Sequence, residues 1–129
     1  MQKLNNDQLF TLLQNNNVKA FNMYVATYPD QEIDFSHRHL NDKNLAKVNL
    51  SRVNLVSSLL INCNLEGANC RGADFSWCNM EGANLKNANM AWSNYQNAYM
   101  ANVNITNTNF SGTNLNGTEI EKYKLDNKK

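Results

Sequence analysis

The sequence has a single proline, five glycines and three cysteines, and charged residues fill only 18% of its 129 positions. No apolar run reaches the length a membrane-spanning helix needs. The opening stretch MQKLNNDQLFTLLQNNN carries one lysine and a broken apolar segment, a poor secretory signal. A formal net charge of +1 argues against bulk attraction to nucleic acid or anionic membrane. Cys63, Cys70 and Cys78 are odd in number and spaced by seven and eight, which fits neither a disulfide framework nor a CxxC zinc site. Reduced thiols in a cytoplasmic protein are the expectation. Nucleotide-binding, zincin and hydrolase motifs (GxGxxG, GxxxxGK, HExxH, GxSxG) do not occur.

Asparagine fills the gap that charge leaves. There are 26 of them, and they are periodic. From Lys43 onward, every residue at a multiple of five, from Leu45 to Leu115, is apolar or aromatic. We call these the centres. Two residues before each centre stands a small or β-branched residue, Lys43 excepted. The residue immediately before the centre is Asn in twelve of fifteen units and Asp once, at Asp74; Leu59 and Tyr99 break the column.

A period of five fits neither an α-helix at 3.6 nor a flat strand at 2. A centre and the residue two before it share one face of an extended stretch. The other three residues must turn a corner and restart the pattern. Such a chain winds into a solenoid whose short sides all face one axis. One large and one small inward side chain per side fill a narrow interior, so the alternation is a packing requirement. Glycines 67, 72, 82, 112 and 117 each fall two after a centre, where a tight corner needs them.

The segments ANLKNANM, GADFSWCNMEGANL and TNFSGTNLNGT resemble the pentapeptide-repeat family, with consensus A-(D/N)-L-x-x, over roughly residues 33–122. The preceding VKAFNMYVATYPDQEIDFSHRHL is similar to the N-terminal segment of many bacterial members, with Phe35 in place of their Leu. The resemblance implies an all-β solenoid: a right-handed quadrilateral β-helix of twenty residues per coil with an N-terminal α-helical cap. Fifteen units then make nearly four coils, a rod about 20 Å long at about 4.8 Å per coil. The expected division is a helical cap over 1–30, the β-helix over 31–122 and a C-terminal tail over 123–129.

Both ends of a solenoid need covering. Asn5 or Asn6 can cap a first helix through Leu9, Phe10, Leu12 and Leu13. A second is predicted from Val18 to about Thr27, stopped by Pro29. Arg38 and Lys43, at positions that should be small and inward, suit a coil merging into that cap. The C-terminal TEIEKYKLDNKK offers only Ile120, Tyr123 and Leu125 as apolar cover. Either a short turn covers the last coil or a second chain does, with those three residues as the dimer contact; some family members dimerise through C-terminal coils.

The sequence offers no catalytic constellation, no metal site and no cofactor, and an enzyme is not expected. The three cysteines fall at inward positions and read as inert packing. His37 and His39 lack a third ligand at a persuasive spacing. The Asn column reads as amides bonding corners or one another between coils, by analogy with cross-β Asn ladders.

The column's exceptions carry the functional expectation. With twenty residues per coil, Leu59, Asn79 and Tyr99 share one side. Val56, Leu59, Ile61, Trp77, Tyr99 and Ala101 then form an outward apolar strip. It is either a protein-interaction surface or covered by the chain's own ends. Trp92 reads as an isolated exposed ring. The expected role is a non-enzymatic structural or interaction module with an unidentified protein partner, nucleic acid and membrane being unlikely ones. The alternative implied by the family is DNA mimicry toward DNA gyrase, as in quinolone-resistance members. The outward acids Asp34, Asp42, Glu66, Asp74, Glu81, Glu119 and Glu121 are sparse for that, and Lys47, Arg52, Arg71, Lys86 and Lys122 offset them.

Overall fold

In a computed structural model, which describes residues 2–120, the chain turns a corner every five residues from 37 to 117. The hydrogen bond from Val48 N–H to Leu45 O, 3.0 Å, closes one such corner, and the same bond recurs from pentad to pentad. The third residue of each four-residue turn has positive φ, the requirement of a type II turn. Five of these positions are glycine, and the others include Lys47 (64°), Arg52 (62°), Trp77 (62°) and Trp92 (60°).

Between corners, residues twenty apart pair in parallel. The bridges define four walls: 34/54/74/94/114, 39/59/79/99, 44/64/84/104 and 49/69/89/109. These are the first to fourth walls below. Each wall is too short for more than one bridging residue per coil. The backbone bonds are nonetheless regular: Leu60 N–H donates to Asn79 O (2.8 Å), and Asn79 N–H to Ser58 O (3.1 Å).

The centres fill the interior, from Phe35 through Leu115. Phe75 and Tyr95, one coil apart, stack with centroids 4.8 Å apart and planes 6° from parallel. Stacking here is dictated by the coil repeat, which places equivalent side chains over one another. The small inward positions tolerate hydroxyls because the backbone receives them: Ser58 Oγ donates to Leu55 O (2.6 Å) and Thr108 Oγ1 to Leu85 O (2.7 Å). No buried side-chain N or O among the described residues lacks a partner.

Two helices precede the coil, α1 (Asn6–Gln14) and α2 (Val18–Thr27). Asn5 caps α1 in a capping box with Gln8, and Asn17 accepts from Ala20 N–H at the start of α2. Leu9, Phe10 and Leu13 of α1, with Phe21 and Tyr24 of α2, join the coil's core. Phe35 holds both helices by edge contacts, to Phe10 at 5.4 Å and Phe21 at 6.0 Å. A phenylalanine where the family has leucine thus reaches two partners.

The helices also satisfy the first coil's lower backbone edge. Asp34, Asn44 and Asn49 have no coil below them to accept their N–H groups. Asn6, Asn16 and Asn22 supply Oδ1 acceptors at 3.1, 3.1 and 2.8 Å. Arg38 pairs with Asp7 and lies 4.9 Å from the Phe10 ring centroid. Lys43 Nζ donates to Gln14 O at the end of α1, 2.7 Å away. Both cations at supposedly small positions are anchors for α1.

At the other end, Ile120 is only 3% exposed and packs into the core of its own chain. Ile120 is the one residue of the expected dimer contact that falls among the described residues. Tyr123 and Leu125 lie outside the described residues.

Candidate interaction surface

The Asn column is a column of corner acceptors. Asn54 Oδ1 accepts from Val56 N–H at 3.0 Å, Asn79 Oδ1 from Glu81 N–H at 3.0 Å and Asn94 Oδ1 from Gln96 N–H at 2.9 Å, each two residues on. Nδ2 is left free to reach up or down. On the third wall it donates between coils, Asn64 to Asn44 (3.0 Å) and Asn84 to Asn64 (3.1 Å).

Leu59 and Tyr99 interrupt this on the second wall, where the bridges 59↔79 and 79↔99 place them in one row. Leu59 brings no acceptor for Ile61 N–H. Asn41, one coil below, supplies it from Oδ1 at 2.8 Å. Ala101 N–H has no such substitute among the described residues. Leu59, Val56, Ile61 and Ala101 are half-buried, whereas Trp77 is 65% and Tyr99 55% exposed. Trp77 stands at the corner between the first and second walls, above Ser57 and below Asn97. A groove of about 430 Å³ beside Tyr99 is lined by Asn97, Ala101, Gly117 and Ile120. The six expected residues therefore fall on one wall and the corners on either side of it, Val56 and Trp77 before it and Ile61 and Ala101 after it, with two exposed rings among them.

Trp92 is not isolated. It lies one coil below Gly112, where an added Cβ would come 2.5 Å from Trp92 Cε3, so the indole rests over that glycine while staying 63% exposed. The signal was legible: a glycine twenty residues after a large corner residue gives its side chain room to lean upward. Asn62 leans over Gly82 and Asn97 over Gly117 in the same way.

Between residues 33 and 117, Asp34 and Asp74 lie on the first wall, Asp42 and Glu81 on the corner between the second and third, and Glu66 on the corner between the third and fourth. Arg38, paired with Asp7, lies on the second wall, Lys43 on the third beside Asp42, Lys47 and Lys86 on the corner between the third and fourth, and Arg52 and Arg71 on the corner between the fourth and first. Acids and bases are thus interspersed around the rod.

Reactive groups are withdrawn. Burial pushes the Cys63 thiol up to about 12, and raises Cys70 and Cys78 further. Burial likewise raises the Tyr95 phenol, whose hydroxyl donates to Met90 Sδ at 3.1 Å. Asp34 is held below its ordinary value by the side-chain and backbone hydrogen bonds of Ser36. His37, on a corner, and His39, on the wall after it, are both exposed. Among the described residues no three His, Cys, Asp or Glu side chains gather as metal ligands. No described helix is long and apolar enough to cross a membrane. A larger groove, about 640 Å³, lies where the end of α2 meets the first coil, lined by Val25, Pro29, Glu32, Arg52 and Val53 among others. It is the seam between helices and coil, which Arg52 crosses to reach Pro29 O at 2.9 Å.

Comparison with curated proteins finds no match. Among solved structures, a pentapeptide repeat protein from the cyanobacterium Cyanothece 51142 is 30% identical over 68% of this chain and 64% of its own, with a TM-score of 0.42. One from the Arabidopsis thaliana thylakoid lumen is 26% identical over 64% of this chain and 65% of its own, with a TM-score of 0.40. The chain thus spans just under two thirds of the length of each. The plasmid-mediated fluoroquinolone resistance protein QnrB1 is 16% identical over 67% of this chain and 60% of its own, with a TM-score of 0.42. Two family models match, one for pentapeptide repeats (eight copies) over residues 31–67 and one for a pentapeptide repeat region over residues 53–129. The chain belongs to the pentapeptide-repeat family.

Proposed function

We propose that the protein is a non-enzymatic interaction module, a short right-handed β-helical rod whose N-terminal helices cap its core and whose second wall binds another protein. One observation carries this: the two breaks in the Asn column, Leu59 and Tyr99, fall in the same row beside the exposed Trp77. At Tyr99 an Asn would serve the corner better, because no described side chain accepts from Ala101 N–H, so the exposed ring serves something outside the corner, and Leu59 extends the same apolar row. Withdrawn thiols and a polar exterior suit a reducing compartment, and we take the cytoplasm as its location. Affinity purification from the native host tests the role. Wild-type protein is expected to retain a partner that Leu59→Glu and Tyr99→Glu lose; equal capture by all three overturns it.

DNA mimicry toward gyrase needs a row of carboxylates along the rod, and the first two walls with the corner after them bear Asp34, Asp42, Asp74 and Glu81. Four acids make a sparse row for a duplex that carries one negative charge per about 1.7 Å. A gyrase supercoiling assay is expected to show neither inhibition nor protection.

A further inference from the structure

Corners low in the rod are held from above. Gly82 N–H donates to Ala101 O at 2.9 Å, and Asn97 N–H to Asn116 O at 2.8 Å. At the last coil the N–H groups of Asn102, Asn107, Gly112 and Gly117 find no such acceptor among the described residues. The residues just before these four are Ala101, Thr106, Ser111 and Asn116. Asn116 is thus the one asparagine that directly precedes an open corner nitrogen, and that nitrogen belongs to a glycine. Asn–Gly occurs nowhere else in the sequence, and both residues are exposed.

From this coincidence we propose that Asn116 is a site of spontaneous deamidation and isoaspartate formation, with water as the co-reactant. The Gly117 nitrogen gives up its proton and attacks Asn116 Cγ, forming an N–Cγ bond. The Cγ–Nδ2 bond breaks, and ammonia leaves carrying that proton. The product is a five-membered succinimide. Water then adds at one of its two carbonyls and breaks the C–N bond there, giving aspartate from Cγ and isoaspartate from the main-chain carbon. Glycine has no Cβ to crowd the attacking nitrogen. Asn102 and Asn107 instead precede Val103 and Thr108, whose branched Cβ atoms crowd it. A type II turn sets the ψ of its second residue at about +120°, which swings the side chain away from the next nitrogen, so the corner must open before the ring can close. This corner opens readily because no backbone bond holds it from above. Either product leaves a carboxylate at the top of the corner column His37, Ser57, Trp77, Asn97 and Gly117, beside the second wall. Isoaspartate also adds a backbone carbon to a corner of fixed length, so the 3.2 Å bond from Thr118 N–H to Leu115 O is lost.

The test incubates the full chain at neutral pH while it stays folded, with samples digested by trypsin at intervals. Fragment masses of the peptide 87–122 locate each amide-to-acid conversion, and a protein-isoaspartate methyltransferase detects isoaspartate. Conversion is expected first at Asn116, with isoaspartate among the products, and faster as pH rises because the attacking nitrogen must lose its proton. Glu81→Asn builds a second Asn–Gly pair at a corner whose Gly82 N–H is held by Ala101 O. Position 81 of that variant is expected to convert at least about tenfold more slowly than Asn116 in the same molecule. Earlier conversion at another asparagine overturns the proposal, as does an unchanged Asn116 after a free TNLNGTE peptide has converted fully. Equal rates at positions 81 and 116 overturn it too, since the open edge then selects nothing. A pH-independent rate without isoaspartate would mean direct amide hydrolysis and overturns the ring-closing route.

Discussion

Asn22 stands in for a missing coil at Asn49. Its Oδ1 accepts the Asn49 N–H at 2.8 Å while its Nδ2 donates to Lys47 O at 3.0 Å, so one side-chain amide serves two backbone groups of the first coil's last corner. The Asn49 N–H would otherwise be an open edge donor, because the coil that should lie beneath it is replaced by α2. Asn22→Ala removes both bonds and is expected to cost about 1–3 kcal/mol in urea unfolding. Asn22→Asp keeps the acceptor and loses the donor, and should fall between the two.

The left-handed corners give a second prediction, with opposite signs at two positions. Ser57 holds φ 59°, which costs a residue with a Cβ about 1–2 kcal/mol. Ser57→Gly relieves that and pays part back in unfolded-state freedom, for a net gain of about 0.5 kcal/mol. Gly82→Ala does the reverse. It imposes φ 71° on a side chain and brings its Cβ 2.2 Å from Asn62 Oδ1. A loss of about 1–3 kcal/mol is expected by the same unfolding measurement.

Leu59 and Tyr99 differ in what an Asn would add. At 59 the acceptor role is already filled by Asn41. Leu59→Asn should therefore change stability little, while Asn41→Ala should lower it by about 1–2 kcal/mol. At 99 no described side chain serves Ala101 N–H, so Tyr99→Asn is expected to gain about 0.5–1 kcal/mol. Thermal unfolding of the three variants side by side checks the order.

The three thiols are buried as neutral groups, with values raised above the ordinary 9.0. A raised folded value means the stabilisation is complete below pH 9 and is lost as pH climbs toward 12, because the unfolded chain ionises first. Native protein at pH 8 is expected to show no thiol reactive toward a disulfide reagent, and three after denaturation. Urea midpoints should fall steeply above pH 9, and a triple Cys→Ala variant should lack the thiol part of that fall.

The inward residues were legible because a centre every five residues admits only one large and one small side chain per wall. Both helices were legible too, from Asn5, Pro29 and the apolar spacing between them. Less visible were the acceptors Asn6, Asn16 and Asn22. Each looks like any other Asn until the first coil's open N–H groups are placed beside it. Trp92 looked isolated because its neighbour is a glycine, which contributes no side chain to a pattern.

The twenty-residue register underlies the shared row and the edge acceptors alike. It is tested most directly by amide-to-α-proton contacts in solution NMR. Cross-strand contacts are expected from the Asn79 amide to the Ser58 and Leu59 region and from the Tyr99 amide to the Cys78 and Asn79 region, as the 3.1 and 2.9 Å hydrogen bonds require. Amide contacts at i to i+3 running through residues 34–114, or cross-strand contacts there at spacings outside nineteen to twenty-one, would contradict it.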